Sequence, residues 1–146
     1  MEWFRTFLAG FPDGRKYLER SLIILGPQGG NDYSLLFIGG WTLDKVQPLA
    51  PLVVSGLGST IQELIELGVV TILVPENFPF GCLPEYPTLY DESSSENYYD
   101  TQSGCLSWLN EFSRYHNDLL QKEVQRIREL YPHVDIMYGD YYNVVM

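Results

Sequence analysis

The stretch SLIILGPQGGNDY, residues 21–33, decides the fold of this chain. It contains four consecutive aliphatic residues, Leu22 to Leu25, which are too few for a helix. Because Gly26 and Pro27 bound the run, it predicts a short buried strand. The side-chain amide of Asn31 follows the end of that strand, and α/β folds hold their ligands at strand ends. The stretch therefore predicts an α/β fold with Asn31 as a candidate functional residue.

Further along the chain, aliphatic runs that predict strands alternate with patterns that predict helices. Apolar residues recur at three and four positions within each helical pattern, which is the period of one helix face. Pro51 removes an amide donor, so the first long helix is expected to be interrupted near it, and Gly68 is expected to end it. The predicted order is a helix over 42–65, a strand over 69–74, a helix over 105–130 and a strand over 134–138. This alternation predicts an α/β sandwich around a parallel sheet.

The remaining segments are short or polar. Residues 3–8 are spaced like the last turns of an amphipathic helix, and residues 15–20 predict a short helix before the first strand. Residues 76–87 are rich in proline, glycine and aromatic residues and are expected to form an ordered loop. Residues 91–100 are acidic and nearly without apolar atoms, which predicts a solvated or mobile surface loop without a function.

The composition excludes several classes of function. The chain has 9 Lys and Arg against 19 Asp and Glu, and this net charge of −10 disfavours nucleic acid and anionic membranes as partners. No apolar run reaches the roughly 18 residues of a membrane-spanning helix. Residues 1–5 lack the basic start and apolar core of a signal peptide, so no export signal is expected in the chain as written. A length of 146 residues fits a single domain.

Two cysteines, Cys82 and Cys105, flank the polar segment of the chain. Neither has a second cysteine or a histidine at metal-ligand spacing, so no metal site and no cofactor are predicted. In an oxidising compartment a disulfide would close the loop between them and stabilise the fold by about 3 kcal/mol. Two free and partly buried thiols are an equally good interpretation of the sequence.

Asn31 has a side chain suited to ester cleavage. Acyl transfer from an ester passes through a tetrahedral oxyanion, and a fixed amide donor aimed at that oxyanion lowers the barrier by roughly 2.7 to 4 kcal/mol. Gly29 and Gly30 allow the close backbone approach that bulky residues would deny. The same residues are also typical of an ordinary turn in which Asp32 caps a helix. The local pattern leaves both interpretations open.

Few other residues suggest chemistry. His116 lies on the apolar face of its predicted helix and is interpreted as a core residue, whereas His133 follows a proline at a turn and is expected to be exposed. Ser34 has no histidine near it in the sequence and is interpreted as a cap. Asp32 and Asp140 both follow predicted strands, where two carboxylates can share a proton or bind a cation, although each also has an ordinary role in a turn.

The order and spacing of several short motifs resemble the plant-type GDSL lipase/esterase family, whose members share the SGNH hydrolase fold. The likeness covers nearly every residue of the chain. The block around Asn31 resembles the family block that carries the asparagine oxyanion donor. The other matching segments are Glu2-Trp3-Phe4, Glu63 to Gly68, Val74-Pro75, Pro79 to Pro84, Gly104 to Leu106, Ser113 to Asn117 and Tyr138 to Tyr142.

The resemblance implies a three-layer αβα sandwich of the flavodoxin-like kind, here with a partial parallel sheet of about three strands. Residues 1–146 would form a single partial domain, the central portion of the family fold. Asn31 would be the oxyanion donor, supported by Gly29 and Gly30, and Pro79 and Gly81 would belong to a loop at the binding pocket. The substrate would be a small-molecule ester. Family members are typically secreted, so the localisation of this chain stays open.

Several catalytic motifs that the resemblance leads us to expect are not found in this sequence. The family nucleophile is the serine of a Gly-Asp-Ser block, a second oxyanion donor is the backbone amide of a later glycine, and an Asp-x-x-His motif completes the triad. None of these has a counterpart here. We therefore expect a hydrolase of carboxylic esters by family, truncated and inactive alone. The alternative is a non-catalytic remnant that binds a small ligand or a protein.

Two local expectations follow from the same resemblance. The family strand that would pair beside Leu22 to Leu25 is not among these residues, so that strand is expected to form a bare sheet edge through which the chain self-associates. Ile23 and Leu25 are expected to be less covered than their composition suggests. Glu76 stands where the family commonly has glycine after Val-Pro, which is expected to alter the shape of that loop.

Overall fold

The fold was analysed in a computed structural model that describes residues 1–90 and 98–146. The helices of the described residues are α1 (Glu2–Ala9), α2 (Gly14–Glu19), α3 (Gly30–Ile38), α4 (Leu43–Val46), α5 (Ala50–Leu67), α6 (Glu85–Tyr90), α7 (Ser107–Leu130) and α8 (Tyr141–Val145). The strands are β1 (Leu22–Ile24), β2 (Thr71–Pro75) and β3 (Asp135–Gly139). Most of the acidic loop predicted over 91–100 lies outside the described residues.

The three strands form one parallel sheet in the order β1-β2-β3. In its register Leu22 lies opposite Thr71, and Leu73 lies opposite Met137. The prediction of a parallel sheet of about three strands is therefore confirmed, and the mixed fold agrees with the α/β class. The strand β1 pairs with β2 alone among the described strands, so its expected position at a sheet edge is also confirmed.

One face of the sheet carries the main hydrophobic core. Side chains alternate between the two faces of a strand, so Ile72 and Val74 of β2 share a face with Ile136 of β3. All three are buried against apolar side chains of α5 and α7. Ile23 and Leu25 pack against the same core and are half-buried.

The opposite face of the sheet is largely open among the described residues. Leu22 and Ile24 on this face are 51% and 57% exposed, and Met137 of β3 is exposed on the same face. The greatest exposure in β1 therefore falls on Leu22 and Ile24 rather than on Ile23 and Leu25, because the core covers the latter pair. A third layer of helices would cover this open face, and the three-layer sandwich accordingly remains a proposal.

The helical pattern predicted over 42–65 is broken where the prolines lie. The short helix α4 passes into a 3-10 turn at Gln47–Leu49, and the longer helix α5 begins at Ala50. Pro51 falls in the first turn of α5, where a missing amide donor costs nothing. Gly68 ends α5 with φ of +112°, a left-handed conformation that favours glycine. The predicted interruption and stop are both confirmed.

Three helices were not predicted from the sequence. The helix α3 follows β1 after residues 25–29, α6 lies at the end of the segment expected to be a loop, and α8 follows β3. Tyr33 and Phe37 of α3, together with Phe80, Tyr86 and Phe112, are buried in a second, mostly aromatic core. Side-chain burial in this second core therefore supports α3 and α6, which the short local patterns did not reveal.

Candidate active site

Asn31 lies in the first turn of α3, just beyond the carboxyl end of β1. Gly29 is the N-cap residue of this helix, with φ of +94°. A Cβ atom at Gly29 would lie 2.6 Å from the ring of Tyr33, so both the backbone angle and the packing require glycine there. A Cβ atom at Gly30 would meet no atom within 4 Å, so Gly30 is not required by packing.

The amide of Asn31 is available to a ligand. Its side chain is exposed, and it forms no hydrogen bond with any residue of the described ranges. The first turn of a helix leaves backbone N–H groups without intrahelical partners and carries a partial positive charge. Asp32 lies in the same turn and is exposed. Asn31 is therefore an unengaged amide donor at a position that favours negative charge.

A buried hydrogen bond anchors α3 behind Asn31. The hydroxyl group of Tyr33 lies 2.8 Å from Nδ1 of His116, and both side chains are fully buried. Burial lowers the pKa of His116 to about 4 and raises the pKa of Tyr33. His116 is thus neutral near pH 7 and has a structural role, which confirms its interpretation as a core residue.

A second group of polar side chains lies beyond the carboxyl ends of β2 and β3. Glu76 follows β2 and is buried, with one carboxylate oxygen accepting a hydrogen bond from the backbone N–H of Tyr142 at 2.9 Å. Its other oxygen accepts a hydrogen bond from the hydroxyl group of Tyr138. Asp140 lies beside Glu76 and caps α8 by accepting a hydrogen bond from the backbone N–H of Asn143.

The ionisation of this second group follows from its surroundings. Burial is the main cause of a raised pKa at Glu76, and the neighbouring Asp140 adds to it. Hydrogen bonds from Asn143 hold the pKa of Asp140 below its usual value. The structure therefore pairs Asp140 with Glu76 rather than with Asp32, because β2 lies between the strand that precedes Asp32 and the strand that precedes Asp140.

A polar cavity of about 290 Å³ opens beside Glu76 and Asp140. Arg114 is the basic residue in its wall, and its guanidinium group lies 5.2 Å from the centre of the Tyr142 ring. Tyr141, the other tyrosine of this turn, stacks on Phe78 with ring centres 5.5 Å apart. Among the residues in this wall, Glu76 is the one with a buried carboxylate, and its hydrogen bonds hold Tyr138 of β3 and the start of α8 in place.

The remaining sequence candidates are placed inside the protein. Pro79 and Gly81 are buried, and the backbone N–H of Gly81 donates to Oδ1 of Asn110 at 2.9 Å. A Cβ atom at Gly81 would lie 2.1 Å from the carbonyl oxygen of Leu106, so glycine permits the close approach of this loop to α7. Cys82 and Cys105 form a disulfide that joins the same two segments. These residues hold the loop in place, and their role at a binding pocket stays a prediction.

No serine nucleophile is assembled within the described ranges. His116 bonds Tyr33, and His133 is exposed, as expected, with an aromatic contact to Tyr131. Neither histidine hydrogen-bonds a serine of these ranges, and Ser34 bonds the hydroxyl group of Tyr86 at 2.7 Å rather than capping a helix. Over residues 1–90 and 98–146, no group of three or more His, Cys, Asp and Glu side chains is arranged to hold a metal ion.

Sequence reasoning missed an apolar cavity of about 550 Å³ at the other end of α3 from Asn31. Aromatic side chains form most of its wall. These aromatic residues are far apart in the sequence, and only the packing of α3, α6 and α7 brings them together.

Helices of the described residues are all too short or too polar to cross a lipid bilayer.

Comparison with known proteins identifies the family. A GDSL esterase/lipase of Arabidopsis thaliana is 47% identical over 135 residues, which are 92% of this chain and 34% of that protein. A second from the same plant is 48% identical over 134 residues, 92% of this chain and 34% of the relative. A sinapine esterase of Brassica napus is 45% identical over 131 residues, 90% of this chain and 33% of the relative. No family model matches the chain.

The chain thus spans about a third of the length of the curated relatives that it matches. The matched share of the chain itself exceeds nine-tenths in the two Arabidopsis comparisons, so the similarity does not rest on one short motif. By its sequence, the chain belongs to the plant GDSL esterase/lipase family.

Proposed function

We propose that this chain contributes the oxyanion-stabilising part of a carboxylic ester hydrolase, with the side-chain amide of Asn31 donating to the tetrahedral intermediate. The observation that carries the proposal is the exposed and unengaged amide of Asn31 in the first turn of α3. A helix N-terminus and a fixed amide both favour the negative charge that develops on the carbonyl oxygen of an ester. Gly29 and the bond between Tyr33 and His116 fix the turn that holds this amide.

The same proposal holds that these 146 residues do not hydrolyse esters by themselves. The sequence contains neither Gly-Asp-Ser nor Asp-x-x-His, and an oxyanion donor without a nucleophile gives at best a residual rate enhancement. In this view the chain corresponds to the central portion of a three-layer fold, in which further strands and helices would cover β1 and the open sheet face. A small-molecule ester would bind once a nucleophile and a base stand near Asn31.

A chimeric enzyme tests this function directly. The matched segment of the Brassica napus sinapine esterase is replaced by the corresponding residues of this chain, and hydrolysis of p-nitrophenyl acetate is measured. We expect the chimera to turn over the ester, and Asn31→Ala to lower kcat by about 10²- to 10³-fold. The matched control is Leu35→Ala, which removes a side chain that is 72% exposed on the same helix. An active chimera in which Asn31→Ala keeps full kcat would refute the proposed role.

The open edge of β1 supports a second, structural part of the proposal. Leu22 and Ile24 expose apolar surface at a strand edge that pairs with no other strand of residues 1–90 and 98–146, and such edges pair readily with other chains. We propose that the isolated chain self-associates through this edge.

The alternative function is a remnant that serves only to bind a ligand or a protein. No observation favours it, and an inactive but folded chimera would be the result in its favour.

A further inference from the structure

A cavity of about 340 Å³ adjoins the first turn of α3, which holds Asn31. Gln28 and Asp32, which lie on either side of Asn31 in the chain, form one part of its wall. Leu25 and one face of α5 form the other part. The residues of α5 are Leu52, Val53, Gly56, Leu57 and Thr60. The volume lies at the small end of the range for small-molecule sites, about 300 to 1,000 Å³.

The two parts of this wall differ in polarity. The part next to Asn31 carries the exposed amide of Gln28 and the exposed carboxylate of Asp32. The part from α5 is mostly apolar, and the hydroxyl group of Thr60 is engaged because it donates to the backbone carbonyl of Gly56 at 3.0 Å. An ester has the same order, since its polar carbonyl group is bonded to an apolar acyl chain. The wall therefore fits an apolar chain that extends from Asn31 towards α5.

Gly56 keeps the α5 part of the cavity open. It lies in the interior of an 18-residue helix, where glycine is less favourable than alanine. Its φ is not positive, and a Cβ atom there would meet no atom of the described residues within 4 Å. Gly58 of the same helix differs, because a Cβ atom there would overlap the carboxylate of Glu123. Packing therefore explains Gly58 and not Gly56, and a side chain at position 56 would take up part of the cavity.

Asp32 favours the acyl half of an ester over the alcohol half as the occupant. Negative charge develops on the leaving oxygen as the alcohol departs, and that oxygen needs a proton donor. A neighbouring carboxylate repels this charge. On the acyl side the charge falls on the carbonyl oxygen, which Asn31 would hold, and the rest of the chain is uncharged. The acyl chain is therefore the better match for a wall that contains Asp32.

We propose that this cavity binds the acyl chain of the ester, and that Gly56 sets the length of chain that fits. The inference rests on the proposed role of Asn31 and deepens it, because it names esters of short apolar acids as the substrate class. Each methylene group that enters the cavity loses contact with water, so binding strengthens with chain length until the cavity is full.

The chimeric enzyme tests this subsite through its selectivity between p-nitrophenyl hexanoate and p-nitrophenyl acetate. The two esters share a leaving group and differ only in the acyl chain. Gly56→Phe should lower the ratio of their kcat/KM values, hexanoate over acetate, at least about tenfold, because the ring occupies space that the longer chain needs. The matched control is Ser55→Phe, which adds the same ring at an exposed position of α5 outside the cavity wall and should leave the ratio unchanged.

A second pair of esters locates the effect on the acyl side. Phenyl acetate and 4-butylphenyl acetate differ only in the alcohol, and Gly56→Phe should not alter the ratio of their kcat/KM values. Gly56→Leu, a smaller addition, should lower the hexanoate ratio less than Gly56→Phe and in the same direction. A change in the alcohol ratio instead of the acyl ratio, or an equal loss of the acyl ratio in Ser55→Phe, would overturn the proposal.

A binding measurement on the full 146-residue chain separates this inference from the role of Asn31. Hexanamide and acetamide serve as probes, because each carries a carbonyl group that the chain does not cleave. Ligand-observed NMR should show hexanamide binding more tightly than acetamide, and Gly56→Leu should reduce this preference severalfold whereas Ser55→Phe should not. Failure of the oxyanion role would appear as an active chimera in which Asn31→Ala keeps full kcat on both p-nitrophenyl esters. Failure of the acyl subsite would appear as equal binding of the two amides or a preference that Gly56→Leu leaves intact.

Discussion

Two polar residues at the carboxyl edge of the sheet, Asn31 and Glu76, differ in burial and in hydrogen bonding. Beyond β1, the amide of Asn31 is exposed and makes no hydrogen bond within the described residues. Beyond β2 and β3, the carboxylate of Glu76 is buried and accepts hydrogen bonds from Tyr138 and from the backbone of Tyr142. Glu76 follows β2 directly, and Asn31 follows β1 after six intervening residues, so both lie at the carboxyl edge of the sheet.

This difference decides which of the two residues is free to bind a ligand. A donor that is exposed and unengaged can bind a developing charge without breaking bonds of the folded state. A buried carboxylate whose oxygens are already hydrogen-bonded would have to abandon those partners, and each abandoned buried donor costs about 1–3 kcal/mol. The difference therefore supports the proposed role of Asn31 as an oxyanion donor, and we propose a structural role for Glu76.

The largest expected effect concerns activity. In the active chimera, Asn31→Ala should lower kcat by about 10²- to 10³-fold, whereas Glu76→Gln should leave kcat essentially unchanged because Glu76 does not contact the ester. Steady-state kinetics with p-nitrophenyl acetate measures both variants under the same conditions. A large loss of kcat in Glu76→Gln with normal folding would mean that the structural assignment of that end is wrong.

The next effect concerns the free energy of unfolding. Here the substitution of Glu76 should have the larger effect and that of Asn31 the smaller one. Glu76→Ala leaves the hydroxyl group of Tyr138 and the backbone N–H of Tyr142 without their acceptor, so the free energy of unfolding should fall by about 2–3 kcal/mol. Asn31→Ala removes an exposed side chain and should change the free energy of unfolding by no more than about 0.5 kcal/mol. Urea denaturation followed by circular dichroism compares them. Glu66→Ala, at an exposed position of α5, is the matched control, and equal stability of all three variants would contradict the comparison.

Acidic pH should change the free energy of unfolding in opposite directions through two residues. One is His116, which anchors α3 behind Asn31, and the other is Glu76. The pKa of His116 is lowered to about 4, so its contribution to stability is complete above its ordinary value near 6.5 and is lost as the pH falls through that range. Between pH 7 and pH 5 this loss amounts to about 2 kcal/mol. The raised pKa of Glu76 has the reverse effect, because protonation relieves a buried charge.

A variant isolates the histidine contribution to this pH dependence. The difference in unfolding free energy between the original chain and His116→Gln should shrink by about 2 kcal/mol from pH 7 to pH 5. His133→Gln, at an exposed histidine, should give no such change. A difference that stays constant across this range would show that His116 is not held neutral by burial.

The smallest effect concerns the exposed edge of β1. Ile24→Lys places a charge on the open face of the edge strand and should reduce self-association without lowering the melting temperature by more than a few degrees. Size-exclusion chromatography with light scattering at several concentrations measures the mass of each species. Leu89→Lys, which also replaces an exposed apolar residue but lies on α6, is the control. Association that both variants reduce equally would not originate at β1.

Much of this fold was predictable because its signals are local. Leu22 to Leu25 is an uninterrupted aliphatic run, and the apolar residues of α5 and α7 recur with the helical period, so these elements follow from the sequence. The helix α3 was missed because its stability depends on Tyr33 and Phe37 packing against residues of α6 and α7. Such packing has no signature in a nine-residue window.

The candidate sites show the same division. Asn31 was identified because glycines precede it at a strand end and because its block resembles a known family. The bonding of Glu76 was not predicted, since Tyr138 and Tyr142 come from a segment more than 60 positions away. The aromatic cavity was missed for the same reason, because Trp41 and Trp108 line the same cavity only in the folded chain.

The central claim is that these residues supply an amide donor for ester cleavage and no nucleophile. Labelling with a fluorophosphonate, followed by peptide mass spectrometry, tests this most directly in the isolated chain and in the chimera. We predict an adduct in the chimera on a serine contributed by the sinapine esterase, and no adduct on any serine of this chain in either protein. A fluorophosphonate adduct on any serine within residues 1–146 would contradict the account.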